Sequence, residues 1–129
     1  MGITNISYRL GYATLHQAKY DKAAMLLAES LEIYRARSDH LSVAACLAGF
    51  AALWRIQGLA EPAVRLLASV EAMLQSSHRT FPWPIDRIEY ERSVAAVRAQ
   101  LDEPSFNAAW EAGSTMTLEQ AIEYALKEK

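Results

Sequence analysis

The chain has 129 residues, 52% apolar and 22% charged, with a formal net charge of −2 and only nine glycines and prolines together. This is the composition of an ordered domain with one core, and it excludes a disordered segment. The near balance of charge excludes a dense basic face for nucleic acid: residues 1–84 carry eight Lys/Arg against six Asp/Glu, and residues 85–129 carry five against nine.

Helix-period spacing begins at once, with Ile3, Ile6, Leu10, Ala13 and Ala18 near one face. Lys19-Tyr20-Asp21 interrupts it, and Ala23, Leu26, Leu27, Ser30, Leu31 and Tyr34 resume it, which predicts a helical hairpin. Ser38-Asp39 offers an N-cap for a third helix over about 40–57. Gly58 suits the positive φ that ends a helix, and Pro62 suits the first turn of a fourth, over about 60–77. Pro82-Trp83-Pro84 breaks the chain, since each proline drives its predecessor out of the helical region. A fifth helix then carries Ile88, Tyr90, Val94, Val97 and Leu101, and Asp102-Glu103-Pro104 restarts the chain as a short helix with Phe106, Ala109 and Trp110. Ala112-Gly113-Ser114 ends it. Thr117 and Gln120 fit a capping box for a last helix whose inner stripe is Leu118, Ala121, Ile122 and Ala125. No period-2 stretch long enough for a strand occurs.

The chain also echoes itself. Residues 17–28 return forty positions later as residues 57–68, with Gln17/Gln57, Ala23/Ala63, Leu26/Leu66, Leu27/Leu67 and Ala28/Ala68 identical. A recurrence of that length is the mark of stacked supersecondary units. Residues 1–129 are therefore expected to form a single all-α domain of about seven helices: repeat one over about 4–38, repeat two over about 40–77, and a third hairpin with a capping helix over about 85–128.

Leu10-Gly11, Tyr20, Ala23, Leu27 and Ser30 in the first copy, and Phe50-Ala51, Trp54, Gly58, Ala63, Leu67 and Val70 in the second, resemble the tetratricopeptide repeat. That resemblance implies a right-handed stack of helical hairpins. Gly11 and Ala23 would then lie where two helices cross closely. Glu89-Tyr90-Glu91-Arg92, Trp110-Glu-Ala-Gly113 and the capped Thr117–Leu126 segment are similar to the C-terminal helical region of large bacterial LuxR-type and SARP-type regulators with a signal-transduction ATPase. The resemblance implies a sensor or scaffold piece of a transcriptional or signalling regulator, either a fragment of a longer protein or a free-standing relative, because the phosphate loop of such ATPases is missing here and no helix-turn-helix is evident.

Candidate chemistry is sparse. His16, His40 and His78 share no metal-ligand spacing with a carboxylate or with Cys46, so neither a metal nor a cofactor is expected. Cys46 sits in an apolar run that would leave its thiol inert, and one cysteine excludes an internal disulfide framework and fits a reducing compartment. Glu89/Glu91 and Asp102/Glu103 read as solvated faces and caps. No signal peptide, myristoylation pattern or spanning run is present, so a cytoplasmic location and no membrane contact are expected.

The repeat resemblance places Asn5, Tyr8, Tyr12, Leu15 and His16 on a concave groove, continued in the second copy by Ala45, Ala48, Ala52, Arg55 and Ile56. Tyr8 and Tyr12 stand where carboxylate-gripping repeats carry Lys and Asn, which disfavours binding of a chaperone tail. The expected function is non-catalytic: a protein-interaction or ligand-sensing module whose partner is a protein or peptide, with the ATPase and DNA-binding part of the same regulator a named candidate and no direct contact to nucleic acid. The alternative is a homo-oligomerisation scaffold, such as a homodimer, without a ligand groove.

Overall fold

A computed structural model describes residues 20–77 and 84–127. They form six helices: α1 (Tyr20–Ala36), α2 (His40–Ile56), α3 (Ala60–Ser77), α4 (Pro84–Gln100), α5 (Glu103–Ser114) and α6 (Leu118–Lys127), with no strand among the described residues. The fold is the expected all-α helical stack. The helix expected over residues 3–18 lies outside the described residues.

Local chemistry sets the turns. Gln57 caps α2 and Gly58 follows at φ +87, so that Leu59 N–H reaches Trp54 O at 2.8 Å and Gly58 N–H reaches Arg55 O at 3.2 Å. These paired bonds satisfy carbonyls that the end of a helix leaves open. The α1–α2 turn repeats the motif with Ser38 in the left-handed position, at φ +56, and Asp39 N–H on Tyr34 O at 3.0 Å. Asp39 then caps α2, its carboxylate accepting from Ser42 N at 3.3 Å and Ser42 Oγ at 2.8 Å. The capping box of α6 is reciprocal: Thr117 N–H donates to Gln120 Oε1 at 2.9 Å and Gln120 N–H to Thr117 Oγ1 at 3.1 Å.

Helix α2 is the axis of the described helices. Every residue from Ser42 to Trp54 is buried, including Cys46, so the helix is enclosed on all sides, as its run of Ala, Leu, Phe and Trp requires. Helices α1, α3, α4 and α6 all pack on it. The echoed positions build the inner contacts: Ala23, Leu27, Ala63 and Leu67 are each fully buried. Leu66 and Ala68 are fully buried too, whereas Leu26 and Ala28 are half-buried, because the second copy is covered on its outer side and the first is less so.

That outer cover is α5, which makes the most extensive helix contact among the described helices with α3 and touches α4 only slightly. The short link at Leu101–Asp102 invites a hairpin of α4 with α5, but packing sends α5 onto α3. Gly113 makes this possible: a Cβ there would lie 2.1 Å from Arg65 O, so the two backbones meet where a side chain would stand. Ala109, one turn earlier, is buried on the same helix.

Helix α6 then returns to the start of the described chain. Glu119 at its first turn pairs with Arg35 at the end of α1 at 2.6 Å, and Ala125 and Leu126 line a pocket with Tyr20 and Ala24 at the start of α1. It therefore runs antiparallel to α1. Tyr124 meets the Trp54 ring edge-on at 5.7 Å between centroids and accepts from Arg65 Nη1 at 3.0 Å, so this one helix reaches α1, α2 and α3. Ala121, Ile122 and Ala125 form its buried stripe.

Candidate functional site

Of the residues expected to line the groove, Asn5, Tyr8, Tyr12, Leu15 and His16 lie outside the described residues. Arg55 is half-buried near the C-terminal end of α2, and its Nε–H donates to Ser93 Oγ of α4 at 3.0 Å. It is thus engaged in joining α2 to α4. The expectation of an open apolar wall beside it is corrected by the structure: Ala45, Ala48 and Ala52 are at most 1% exposed, because α2 is enclosed by its neighbours. Ile56, at 37%, is the one member of that set with an exposed side chain.

Because α4 and α5 stand apart on α3, a cleft of about 580 Å³ opens between the three helices. Ala68 and Ala72 of α3 keep its base low, Tyr90, Val94, Ala95 and Trp110 supply apolar walls, and Glu71, Glu91 and Arg98 supply charge. Tyr90 Oη donates to Glu71 Oε1 at 3.0 Å and lies 3.3 Å from Leu67 O. Burial, reinforced by the Glu71 charge, pushes the Tyr90 phenol far above the ordinary tyrosine range. It is a fixed donor at neutral pH and has no use as a proton acceptor. Arg87 stands over the Tyr90 ring at 5.3 Å and pairs with Glu91 at 3.2 Å and, more distantly, with Glu71 at 3.9 Å. Arg98 lies 4.4 Å from the centre of the Phe106 ring, which stacks on Trp110 at 5.6 Å. Glu71 and Glu91 in this lining both face Arg87, whereas Arg98 lies on the Phe106 ring.

A smaller, more enclosed pocket of about 250 Å³ lies between α1, α2 and α6, lined by Tyr20, Phe50 and Trp54 together with Asp21, Gln57 and small apolar residues. The sequence marks Tyr20 and Trp54 as repeat positions but not as neighbours of α6. That adjacency depends on the return of the last helix, which no local pattern encodes. Among the described residues no group of three or more His, Cys, Asp or Glu could hold a metal ion, and no helix is long and apolar enough to cross a membrane.

No protein-family profile matches the chain, and no solved structure gives a significant match. Three curated relatives do match. A protein of Mycobacterium bovis and one from each of two Mycobacterium tuberculosis strains, all provisionally named HTH-type transcriptional regulators, are 31% identical to it over 103 residues, or 80% of this chain. The chain spans 11% of the length of each of these relatives.

Proposed function

We propose that the chain is a non-catalytic helical repeat module of a transcriptional regulator, one that holds a protein partner or senses a ligand and does not itself touch nucleic acid. The observation that carries this reading is the 31% identity, over 80% of the chain, to proteins named as HTH-type transcriptional regulators, of which it accounts for 11%. A share that small suits one module among several. The tetratricopeptide-like echo and the likeness to the helical region of LuxR-type and SARP-type regulators support the same role. The arginines support the exclusion of nucleic acid, since Arg35, Arg65, Arg87 and Arg92 each face a carboxylate within 4 Å and form no free basic face among the described residues.

Transcript profiling tests the proposal. Removing the coding sequence for residues 1–129 is expected to shift a defined set of transcripts, restored when the sequence is supplied again. Unchanged profiles across growth phases would overturn it. The groove is tested separately by replacing Tyr8 and Tyr12 with Ala, which is expected to weaken capture of the ATPase and DNA-binding portions of the same regulator.

A further inference from the structure

Arg35, Arg65, Arg87 and Arg92 each face a carboxylate within 4 Å, whereas Arg98 faces none among the described residues. Arg98 is an exposed residue in the wall of the α3–α4–α5 cleft, and its Cζ lies over the Phe106 ring, 4.4 Å from the centroid. Stacking of this kind uses the flat face of a guanidinium and leaves its N–H donors, which project in the plane, open to an acceptor. The ring also holds the group in one orientation, so less freedom is lost when it bonds. Glu91, Val94, Ala95 and Arg98 recur at helical spacing along α4, and all four line the cleft. The apolar surface beside Arg98 is open to contact: Ala95 is exposed, and Val94 and the Trp110 of α5 are only half-buried. Glu91 stands two turns from Arg98, about 10 Å along the helix, which exceeds the screening length of about 8 Å at physiological salt. The volume of about 580 Å³ lies within the usual range for small organic ligands.

We propose that this cleft binds a small organic acid with an aryl or branched alkyl body, its carboxylate held by Arg98 and its body on Trp110, Val94 and Ala95. Charge selects the acid. An amine would be repelled by Arg98 and would find Glu71 and Glu91 already facing Arg87. The site is separate from the groove expected at Tyr8 and Tyr12, and the proposal does not depend on the regulatory role. A bound acid joins α4 to α5, two helices that touch each other only slightly.

Calorimetry with the whole chain tests this, using sodium 4-phenylbutyrate at low ionic strength and neutral pH as the probe and 4-phenylbutyramide as its uncharged counterpart. One saturable site is expected for the acid, with the amide weaker by about fivefold or more, as expected for a charge-assisted pair at an exposed arginine. Arg98→Gln, a change at an exposed position, is expected to bring the acid down to the level of the amide, while Arg37→Gln, at an exposed arginine outside the lining, is expected to leave both probes unchanged. Ala95→Leu, which places a larger side chain in the cleft from an exposed position, is expected to weaken both probes with the helical circular dichroism retained. No saturable binding, equal affinity for the two probes, an Arg98→Gln chain that binds the acid as before, or an equal loss in Arg37→Gln would each overturn the proposal.

Discussion

Replacing Gly113 by Ala should destabilise the fold, although alanine is the better helix former. The new Cβ would stand 2.1 Å from Arg65 O, 2.6 Å from Arg65 Cα and 2.7 Å from its carbonyl carbon. All three are backbone atoms, so no side chain can swing aside. An ordinary contact needs about 3.5 Å, so α5 must move from α3 by roughly 1.4 Å along its most extensive interface among the described helices. Overpacking of this kind costs about 1–3 kcal/mol, and the rigid partner places this site at the upper end. The gain in helix propensity returns about 1 kcal/mol. The net loss is about 1–2 kcal/mol, which lowers Tm by about 4–7 °C for a chain of this size. Urea and thermal unfolding followed at 222 nm measure it, with Ser114→Ala as a neutral neighbour. A Gly113→Ala chain as stable as the parent would refute the close approach of the two backbones.

Four further outcomes follow from the same geometry. Ile122→Ala, at a fully buried position on α6, should cost about 2–4 kcal/mol in a urea melt, whereas Glu119→Gln, which breaks an exposed ion pair, should cost less than about 0.5 kcal/mol; the reverse order would mean that charge and not packing holds α6. Ser38→Gly should raise stability by about 0.5–1 kcal/mol, because serine occupies a left-handed position that glycine adopts freely. Tyr90 keeps its proton in the fold to higher pH than in the unfolded chain, so its contribution is whole below the unfolded pKa near 10 and is lost as pH rises beyond it. Tyr90→Phe should therefore lower stability by about 1 kcal/mol at pH 7 and unfold less steeply above pH 10 than the parent in a pH series of melts. A double-mutant cycle on Arg55→Ala and Ser93→Ala should return a coupling of about 1 kcal/mol, and additive effects would show that the 3.0 Å bond contributes nothing to joining α2 and α4.

Much of the fold is legible locally because capping and backbone chemistry act over four or five residues. Asp39, Gly58, Pro62 and the Thr117/Gln120 pair place four helix ends, and the expected spans 40–57 and 60–77 meet the observed α2 and α3 within one residue. The partner of each helix is less legible, since apolar period fixes which face is buried and not what buries it. Gly113 reads in sequence as part of a helix end, yet it lies in the last turn of α5 and serves a contact with residue 65. Arg55 reads as a lone cation on a groove, and only the placement of Ser93 shows that it bonds across helices. The aromatic pocket is the least legible part, because Tyr20, Trp54 and Leu126 meet through a helix that doubles back over the whole described length.

The return of α6 also alters how such a stack can come apart. In an open solenoid each unit leans only on its neighbours, so the array can fray from one end and can grow or shrink by whole repeats. Here Glu119 reaches Arg35 and Tyr124 packs on Trp54, so contacts far apart in sequence tie the first and last described helices to one centre. Loss of α6 would uncover Trp54 and loosen α2, on which four of the other elements depend. The described helices should consequently unfold as one cooperative unit.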